Sequence, residues 1–95
     1  MFDPLLRRIR TKIAAGEYVV TTHAEEEMDD DELSVFDVEH AVLGGMIVER
    51  QRDEKTDEHK YRVEGPTIDG KDMSVVLKIG PAGKVVFITV FLRSK

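Results

Sequence analysis

Apolar residues recur at helical spacing through the first half of the chain. Leu6, Ile9 and Ile13 follow Asp3-Pro4, and an acidic N-cap with proline in the first turn is typical of a helix start. The pattern predicts a first helix that buries these three apolar side chains.

Two further capping signals follow. Thr22–Glu25 matches a capping box, which predicts a second helix to about Asp31, and Ser34–Asp37 opens a third helix that ends at Gly44-Gly45. Tyr18–Thr21 has the composition of a strand but is short, so we interpret it as an extended connector between the first two helices.

After Gly45 the helical spacing of apolar residues gives way to the alternation that is typical of strands. Four strands are predicted, separated by polar or glycine-containing turns: Met46–Arg52, His59–Gly65, Asp72–Ile79 and Lys84–Leu92. This order predicts an α+β fold in which three N-terminal helices pack on one face of a four-stranded antiparallel C-terminal sheet. We expect a single domain over residues 1–95, with a helical half (1–45) and a sheet half (46–95).

The last predicted hairpin separates the two faces of this sheet. If Gly80–Gly83 closes the hairpin symmetrically, Ile79 lies opposite Lys84, and residues that lie directly opposite share a face. The face predicted to lie under the helices is entirely apolar and comprises Met73, Val75, Leu77, Ile79, Val86, Ile88, Val90 and Leu92. The other, open face is mixed and comprises Ser74, Val76, Lys78, Val85, Phe87, Thr89 and Phe91. A slip of one residue in register would exchange the two faces.

Composition and charge limit the kind of protein. No apolar run approaches the roughly 20 residues needed to span a bilayer, and a chain without cysteine forms neither disulfides nor thiolate metal sites. These features predict a cytoplasmic protein that does not associate with membranes. The net charge of −5 is unevenly distributed, because residues 17–40 carry ten acids and neither lysine nor arginine. This acidic middle weighs against a dominant nucleic-acid-binding surface.

His23 is the first candidate for acid–base chemistry. Glu27 lies four residues further along the same predicted helix, where a carboxylate can orient an imidazole. A helix-start histidine stabilised by nearby acids is the other interpretation of this pair. The acidic run Glu25–Glu32 lacks the glycine and the ligand spacing of a calcium loop, and the three histidines are too scattered for a zinc pattern. No metal and no cofactor are therefore predicted.

Three cations form a second candidate site. If Tyr61 and Val63 point into the core, Arg62 joins Lys78 on the open face, and Arg93 lies at the end of the last strand. Cations in such positions can bind phosphate and stabilise developing negative charge. They can equally protect an exposed strand from aggregation, and the sequence alone leaves both interpretations open.

Three short segments carry a family resemblance: His23-Ala24 at the start of the second helix, Tyr61-Arg62 in the second strand and Thr89-Val90-Phe91 in the last strand. Together with Asp37–Gly45, they resemble a small bacterial family, the domain-of-unknown-function family forty-two fifty-eight. The resemblance implies a toxin-like fold similar to the RelE and barnase-like ribonucleases, and a metal-independent endoribonuclease that belongs to a toxin–antitoxin pair.

In such nucleases the RNA 2′-hydroxyl attacks the adjacent phosphodiester, assisted by a base and by cations. The resemblance makes His23 the candidate acid or base, and Tyr61 and Arg62 candidates for substrate contact and charge stabilisation, whereas Lys78 joins them from the assignment of sheet faces. The full predicted set comprises catalytic His23, Tyr61, Arg62 and Lys78, and substrate-binding Phe87, Thr89 and Arg93.

The resemblance also implies partners, namely an RNA substrate and a small zinc-finger antitoxin. Glu27 and Asp31, however, stand where many relatives carry arginine. This departure favours an alternative function, in which the chain is a catalytically inactive module that binds a partner or forms a homodimer through the open sheet face.

Overall fold

The computed structural model describes residues 3–93 and has an α+β architecture, as predicted. Its elements are α1 (Pro4–Ala14), β1 (Tyr18–Val20), α2 (Thr22–Asp30), α3 (Val35–Gly44), β2 (Met46–Asp53), β3 (Glu58–Pro66), β4 (Asp72–Ile79) and β5 (Val85–Leu92). The predicted caps of α1 and α3 are present: the Asp3 carboxylate accepts hydrogen bonds at the start of α1, and Ser34 and Asp37 form a capping box at the start of α3. Helix α2 is capped by Thr21 instead of the predicted Thr22, because the Thr21 hydroxyl accepts the N–H of Ala24. None of the helices within residues 3–93 is long and apolar enough to cross a membrane.

The sheet has five strands in the order β1-β5-β4-β3-β2, so the prediction of four strands is wrong. The fifth strand is β1, in the segment interpreted as a connector, and it pairs in parallel with β5 through Tyr18 opposite Val85 and Val20 opposite Phe87. Because β1 lies between α1 and α2, the helices do not form one uninterrupted N-terminal block. Three residues are too few to show a strand period, and β1 acquires its hydrogen bonds only from distant β5.

One face of the sheet packs against the three helices and forms the core. The helices contribute the apolar positions that the sequence pattern selects, including Ile9 and Ile13 of α1, Met28 of α2 and Val42 of α3. The sheet contributes Val63, Met73, Val75, Leu77, Val85, Phe87 and Val90, all fully buried. Within residues 3–93, no helix covers the opposite face. We use the name open face for this surface, formed by Glu49, Lys60, Arg62, Glu64, Ser74, Val76, Lys78, Val86, Thr89 and Phe91.

The predicted faces of β5 are correct in one half of the strand and wrong in the other. Ile79 lies opposite Val85 instead of Lys84, because the turn is one residue longer than a symmetric closure allows. A bulge at Ile88 then restores the predicted alternation, so Val90 is buried as expected. Between the turn and the bulge the faces are exchanged: Val85 and Phe87 are in the core, whereas the open face receives Val86.

Helix α3 lies very close to β3, and two glycines allow this approach. A Cβ atom on Gly65 would overlap the backbone carbonyl of Ala41, and one on Gly45 would overlap the carbonyl oxygens of Glu64 and Ala41. This close packing fixes α3 against the start of the β2–β3 hairpin, the hairpin that carries the candidate site described next.

Candidate functional site

His23, the predicted acid or base, lies on α2 with its side chain 66% exposed. Its Nε2 atom is 3.4 Å from Oε1 of Glu27, and the same carboxylate oxygen accepts a hydrogen bond of 3.0 Å from the backbone N–H of Val90. The Glu27 carboxylate therefore links α2 to β5, and the His23 imidazole lies next to this carboxylate. Within residues 3–93, no hydrogen bond, ion pair or ring contact joins His23 to Tyr61, Arg62 or Lys78.

Arg62 lies on the open face, as predicted, but carboxylates flank its guanidinium. Its Nε donates to Glu49 at 3.0 Å, while Nη1 forms a short contact with Glu64 and lies 3.5 Å from Ser74 Oγ. Hydrogen bonds to Glu49 and Glu64 raise the pKa of Arg62, and those from Gln51 and Arg62 lower the pKa of Glu49. The Arg62 N–H groups that a phosphate would need are therefore already hydrogen-bonded to Glu49 and Glu64.

The other two predicted cations of this face are paired in the same way. Arg93 Nε lies 3.0 Å from Glu64, so one carboxylate serves both arginines. Lys78 Nζ donates to both carboxylate oxygens of Glu58, at 3.2 and 3.0 Å, which is the main cause of the lowered pKa of Glu58. The open face is consequently a set of balanced ion pairs and has little surplus positive charge for RNA.

The two remaining predicted substrate-binding residues, Thr89 and Phe87, lie on opposite faces of the sheet. Thr89 lies on the open face opposite Val76 and is half-buried. Phe87 was expected beside it, and this placement is wrong. Its side chain is fully buried under the helices, where its ring packs at 5.1 Å against the ring of Tyr18. Phe87 therefore belongs to the core and cannot contact a ligand bound on the open face.

Tyr61 lies on the opposite side of the sheet from Arg62, in a different environment. The His59 ring stacks near it, with centroids 6.5 Å apart and planes at 17°, and the Arg50 guanidinium carbon lies 5.9 Å from the centroid of the Tyr61 ring. Arg50 and His59 are exposed and Tyr61 is half-buried. We call Arg50, His59 and Tyr61 the hairpin cluster, because all three belong to the β2–β3 hairpin.

The hairpin register brings this cluster together. His59 and Tyr61 are two residues apart in β3 and therefore share a face. Arg50 lies directly opposite Tyr61 because a bulge between Ile47 and Glu49 shifts β2 by one residue. The spacing of His59 and Tyr61 was visible in the sequence, whereas a bulge has no comparable sequence signal, and Arg50 was missed for that reason.

The hairpin cluster can bind a polyanion that carries aromatic rings. An arginine over a tyrosine face is a favourable cation–π arrangement. Arg50 also pairs with Asp3 at 3.3 Å, but its side chain is 58% exposed, against 28% for Arg62, and its remaining N–H groups can donate to an anion. Two nearly parallel rings offer surfaces for stacking. Among the described residues, no group of three or more His, Asp or Glu side chains converges closely enough to hold a metal ion. The hairpin cluster itself offers an imidazole, a phenol and a guanidinium group.

Comparison with protein families identifies one match. A family model described as a domain of unknown function (DUF4258) matches residues 20–92, which extend from the last residue of β1 through α2, α3 and β2 to the end of β5. The matched range contains every predicted site residue except Arg93, and it contains the whole hairpin cluster. Neither the curated proteins nor the solved structures yield a match to this chain.

Proposed function

Because the chain belongs to the DUF4258 family, whose description assigns no activity, we propose its function from its own surface: a metal-independent endoribonuclease that binds RNA at the hairpin cluster. The observation that carries the proposal is the juxtaposition of the exposed His59 ring, the Tyr61 ring and the Arg50 guanidinium. Proteins recognise single-stranded RNA by stacking its bases on aromatic rings and pairing its phosphates with cations. The hairpin cluster supplies both.

The same three side chains are suited to cleavage by the RNA's own 2′-hydroxyl. In this reaction the 2′-oxygen forms a bond to phosphorus and the bond from phosphorus to the 5′-oxygen breaks, which yields a 2′,3′-cyclic phosphate and a 5′-hydroxyl. His59 accepts the proton of the 2′-hydroxyl, and the leaving 5′-oxygen receives a proton from water or from Tyr61. Arg50 stabilises the negative charge that develops on the phosphoryl oxygens.

This proposal moves the reaction away from the residues predicted first. His23 lies next to Glu27, whose carboxylate links α2 to β5. Three further predicted residues form ion pairs with carboxylates on the open face, namely Arg62, Lys78 and Arg93. Tyr61 is the member of the predicted catalytic set that the proposal retains.

A cleavage assay tests the proposal. A fluorescently labelled single-stranded RNA is incubated with the protein in the presence of a metal chelator, and the products are separated by size. We expect His59→Ala and Arg50→Ala to reduce cleavage by about 100-fold or more, as removal of a general base or an oxyanion contact does. His23→Ala and Arg62→Ala are matched controls, which retain activity within about three-fold. Full activity of His59→Ala, or loss in His23→Ala with its fold intact, would overturn this assignment.

The family resemblance supplies the biological setting of the proposal. We propose a RelE-like toxin that acts on mRNA in the cytoplasm and is neutralised by a small zinc-finger antitoxin. Induced expression should then arrest bacterial growth, and His59→Ala should relieve the arrest at equal soluble expression. Growth that continues with the wild-type protein would leave the toxin–antitoxin setting without support, even if RNA cleavage is seen in vitro.

A second candidate function is a binding module that dimerises through the open face. The observation that favours it is the balance of charges there, together with the apolar side chains of Val76 and half-exposed Phe91. Light scattering after size-exclusion chromatography should then show a dimer that Phe91→Asp converts to a monomer. Phe36→Asp, which changes an exposed phenylalanine on α3, is the matched control. A wild-type monomer at high concentration would exclude this function.

A further inference from the structure

An open cleft of about 830 Å³ separates the start of α1 from β2 and borders the hairpin cluster through Arg50. Its lining residues are Asp3, Pro4, Leu6, Arg7, Arg10, Met46, Ile47 and Arg50. This volume is within the range of roughly 300–1,000 Å³ that is usual for small-ligand sites. None of the predicted site residues lines the cleft.

The cleft carries surplus positive charge in a chain whose net charge is −5. Among the described residues that line it, Arg7, Arg10 and Arg50 are basic and Asp3 is acidic. The Asp3 carboxylate is already engaged, because Oδ1 accepts from the backbone N–H groups of Leu5 (3.1 Å) and Leu6 (3.3 Å), and Oδ2 lies 3.3 Å from Arg50. Since the acid is used for capping α1 and orienting Arg50, the cleft favours an anionic ligand.

One of the arginines is held in place by the end of a helix. Arg10 Nη2 donates to the carbonyl oxygen of Gly45 at 2.6 Å, and Nε lies 3.5 Å from the carbonyl oxygen of Val42. The last carbonyls of a helix carry partial negative charge and attract such a cation. With two of its donors fixed in this way, the guanidinium is oriented before a ligand arrives, and its remaining N–H groups can donate to a phosphate.

Besides the arginines, the cleft is lined by apolar side chains. The apolar lining residues are Pro4 and Leu6 from α1 and Met46 and Ile47 from β2. Free inorganic phosphate gains nothing from these side chains, whereas an anion that carries a flat ring can bury the ring against them. The arginines and the apolar side chains together favour a ligand in which a phosphate is attached to a flat ring.

We propose that this cleft is a nucleotide subsite, in which the arginines bind the phosphate and the apolar walls hold the base. The inference rests on the proposed function in one respect: the nucleotide belongs to the same RNA strand that stacks on the hairpin cluster. Arg50 lines the cleft and also lies over Tyr61, so the strand passes from the ring stack into the cleft at this residue.

Titration calorimetry on the full chain tests the subsite separately from RNA cleavage. The probes are adenosine 5′-monophosphate, inorganic phosphate and a short single-stranded RNA. The variants are Arg7→Gln, inside the cleft, and Arg8→Gln, an exposed neighbour on α1 that does not line it. We expect the mononucleotide to bind more tightly than phosphate, and Arg7→Gln to weaken mononucleotide and RNA binding by about five-fold or more. Arg8→Gln should change either affinity by less than about two-fold, because the Arg8 charge is exposed, lies outside the cleft lining and is screened by salt.

The outcomes separate the subsite from the function on which it rests. Tight RNA binding that Arg7→Gln leaves unchanged, without mononucleotide binding, overturns the subsite and leaves the nuclease proposal standing. Mononucleotide binding that Arg7→Gln weakens, without RNA binding, supports the subsite and overturns the RNA-binding function. Equal affinity for phosphate and mononucleotide overturns the role of the apolar walls, and binding of none of the probes overturns both proposals.

Discussion

Glu27 links α2 to the edge of the sheet through one carboxylate oxygen. Beside His23 it suggested a catalytic pair, and in the resemblance it stands where many relatives have arginine. In the structure its carboxylate accepts the N–H of Val90, a donor on the part of β5 that extends beyond the three residues paired with β1. Glu27 therefore satisfies an edge-strand donor, which a positively charged side chain at this position could not do.

Loss of this contact should lower the stability of the fold. We expect Glu27→Ala to lower the free energy of unfolding by about 1–3 kcal/mol, because the Val90 N–H loses a charged acceptor. Glu26→Ala, the exposed neighbouring acid, should stay within about 0.5 kcal/mol of the wild type. Urea denaturation of the three proteins compares them, and equal midpoints would show that Glu27 does not anchor α2.

Tyr18 provides a second prediction for a single residue. Its hydroxyl donates to the Glu39 carboxylate at 2.6 Å, and this hydrogen bond is the main reason that the pKa of Tyr18 rises from 10.0 to about 12. The folded state then keeps the phenolic proton that the unfolded state releases, so this contribution to stability is complete below pH 10 and is lost as the pH rises to about 12.

Comparison with Tyr18→Phe isolates this effect. Because the chain has two tyrosines, the difference between wild-type and Tyr18→Phe absorbance at alkaline pH reports on Tyr18 alone. We expect that difference to titrate near pH 12, and the stability of the wild type to fall more steeply than that of the variant between pH 10 and 12. A midpoint near pH 10 would mean that the bond to Glu39 is absent in solution.

At the scale of the elements, caps and periodicity were sufficient for the helices. Asp3 and Ser34 are N-caps as predicted, because their side-chain oxygens accept helix N–H groups, a local property that the sequence displays. Helix α2 was also located correctly, but its N-cap is Thr21, one residue before the predicted Thr22. The strands were located correctly from Met46 onward, but the faces of β5 depended on a turn one residue longer than expected and on the bulge at Ile88. Bulges and short parallel strands arise from pairing with distant segments, which local patterns do not encode.

The packing of α3 on β3 makes an element-scale prediction with an internal control. Gly44 and Gly45 are adjacent, yet a Cβ on Gly44 would make only ordinary contact, 3.9 Å from Pro66, whereas one on Gly45 would overlap backbone carbonyls. We expect Gly45→Ala to destabilise the fold by about 1–3 kcal/mol or more, because backbone must move. Gly44→Ala should be neutral or stabilising by up to about 1 kcal/mol, since alanine favours a helix. Thermal unfolding of both variants checks the contrast, and equal losses would contradict it.

At the scale of the whole molecule, charge is segregated in a way that bears on RNA binding. Residues 17–40 carry ten acids and no lysine or arginine, whereas the cleft and the hairpin cluster together present Arg7, Arg10 and Arg50. The acidic segment was predictable from the sequence and argued against a nucleic-acid surface. The gathering of arginines from α1 and β2 was not, because these two elements meet only in the folded chain.

The proposed RNA site therefore predicts a small salt dependence. Neutralisation of a phosphate on a single strand contributes a slope of about −0.7 to the plot of log affinity against log salt, so three arginines give about −2. We expect Arg50→Gln to make this slope shallower by about 0.7, and Arg93→Gln to leave it unchanged. Filter-binding measurements over a range of salt concentrations decide this, and a slope changed by Arg93→Gln but not by Arg50→Gln would place RNA on the open face instead.

The parallel pairing of β1 with β5 has a consequence for synthesis on the ribosome. The hydroxyl of Thr21, directly after β1, donates to the carbonyl oxygen of Ile88, 67 residues further along the chain. Strand β1 pairs with β5, and Glu27 of α2 accepts a hydrogen bond from a backbone N–H of β5. Contacts between such distant segments form late, because the intervening chain must first be closed into a loop. While β5 is still inside the exit tunnel, the nascent chain can form its helices and the β2–β3–β4 meander, but β1 has no strand to pair with. The sheet is completed only when β5 leaves the tunnel and inserts between β4 and β1.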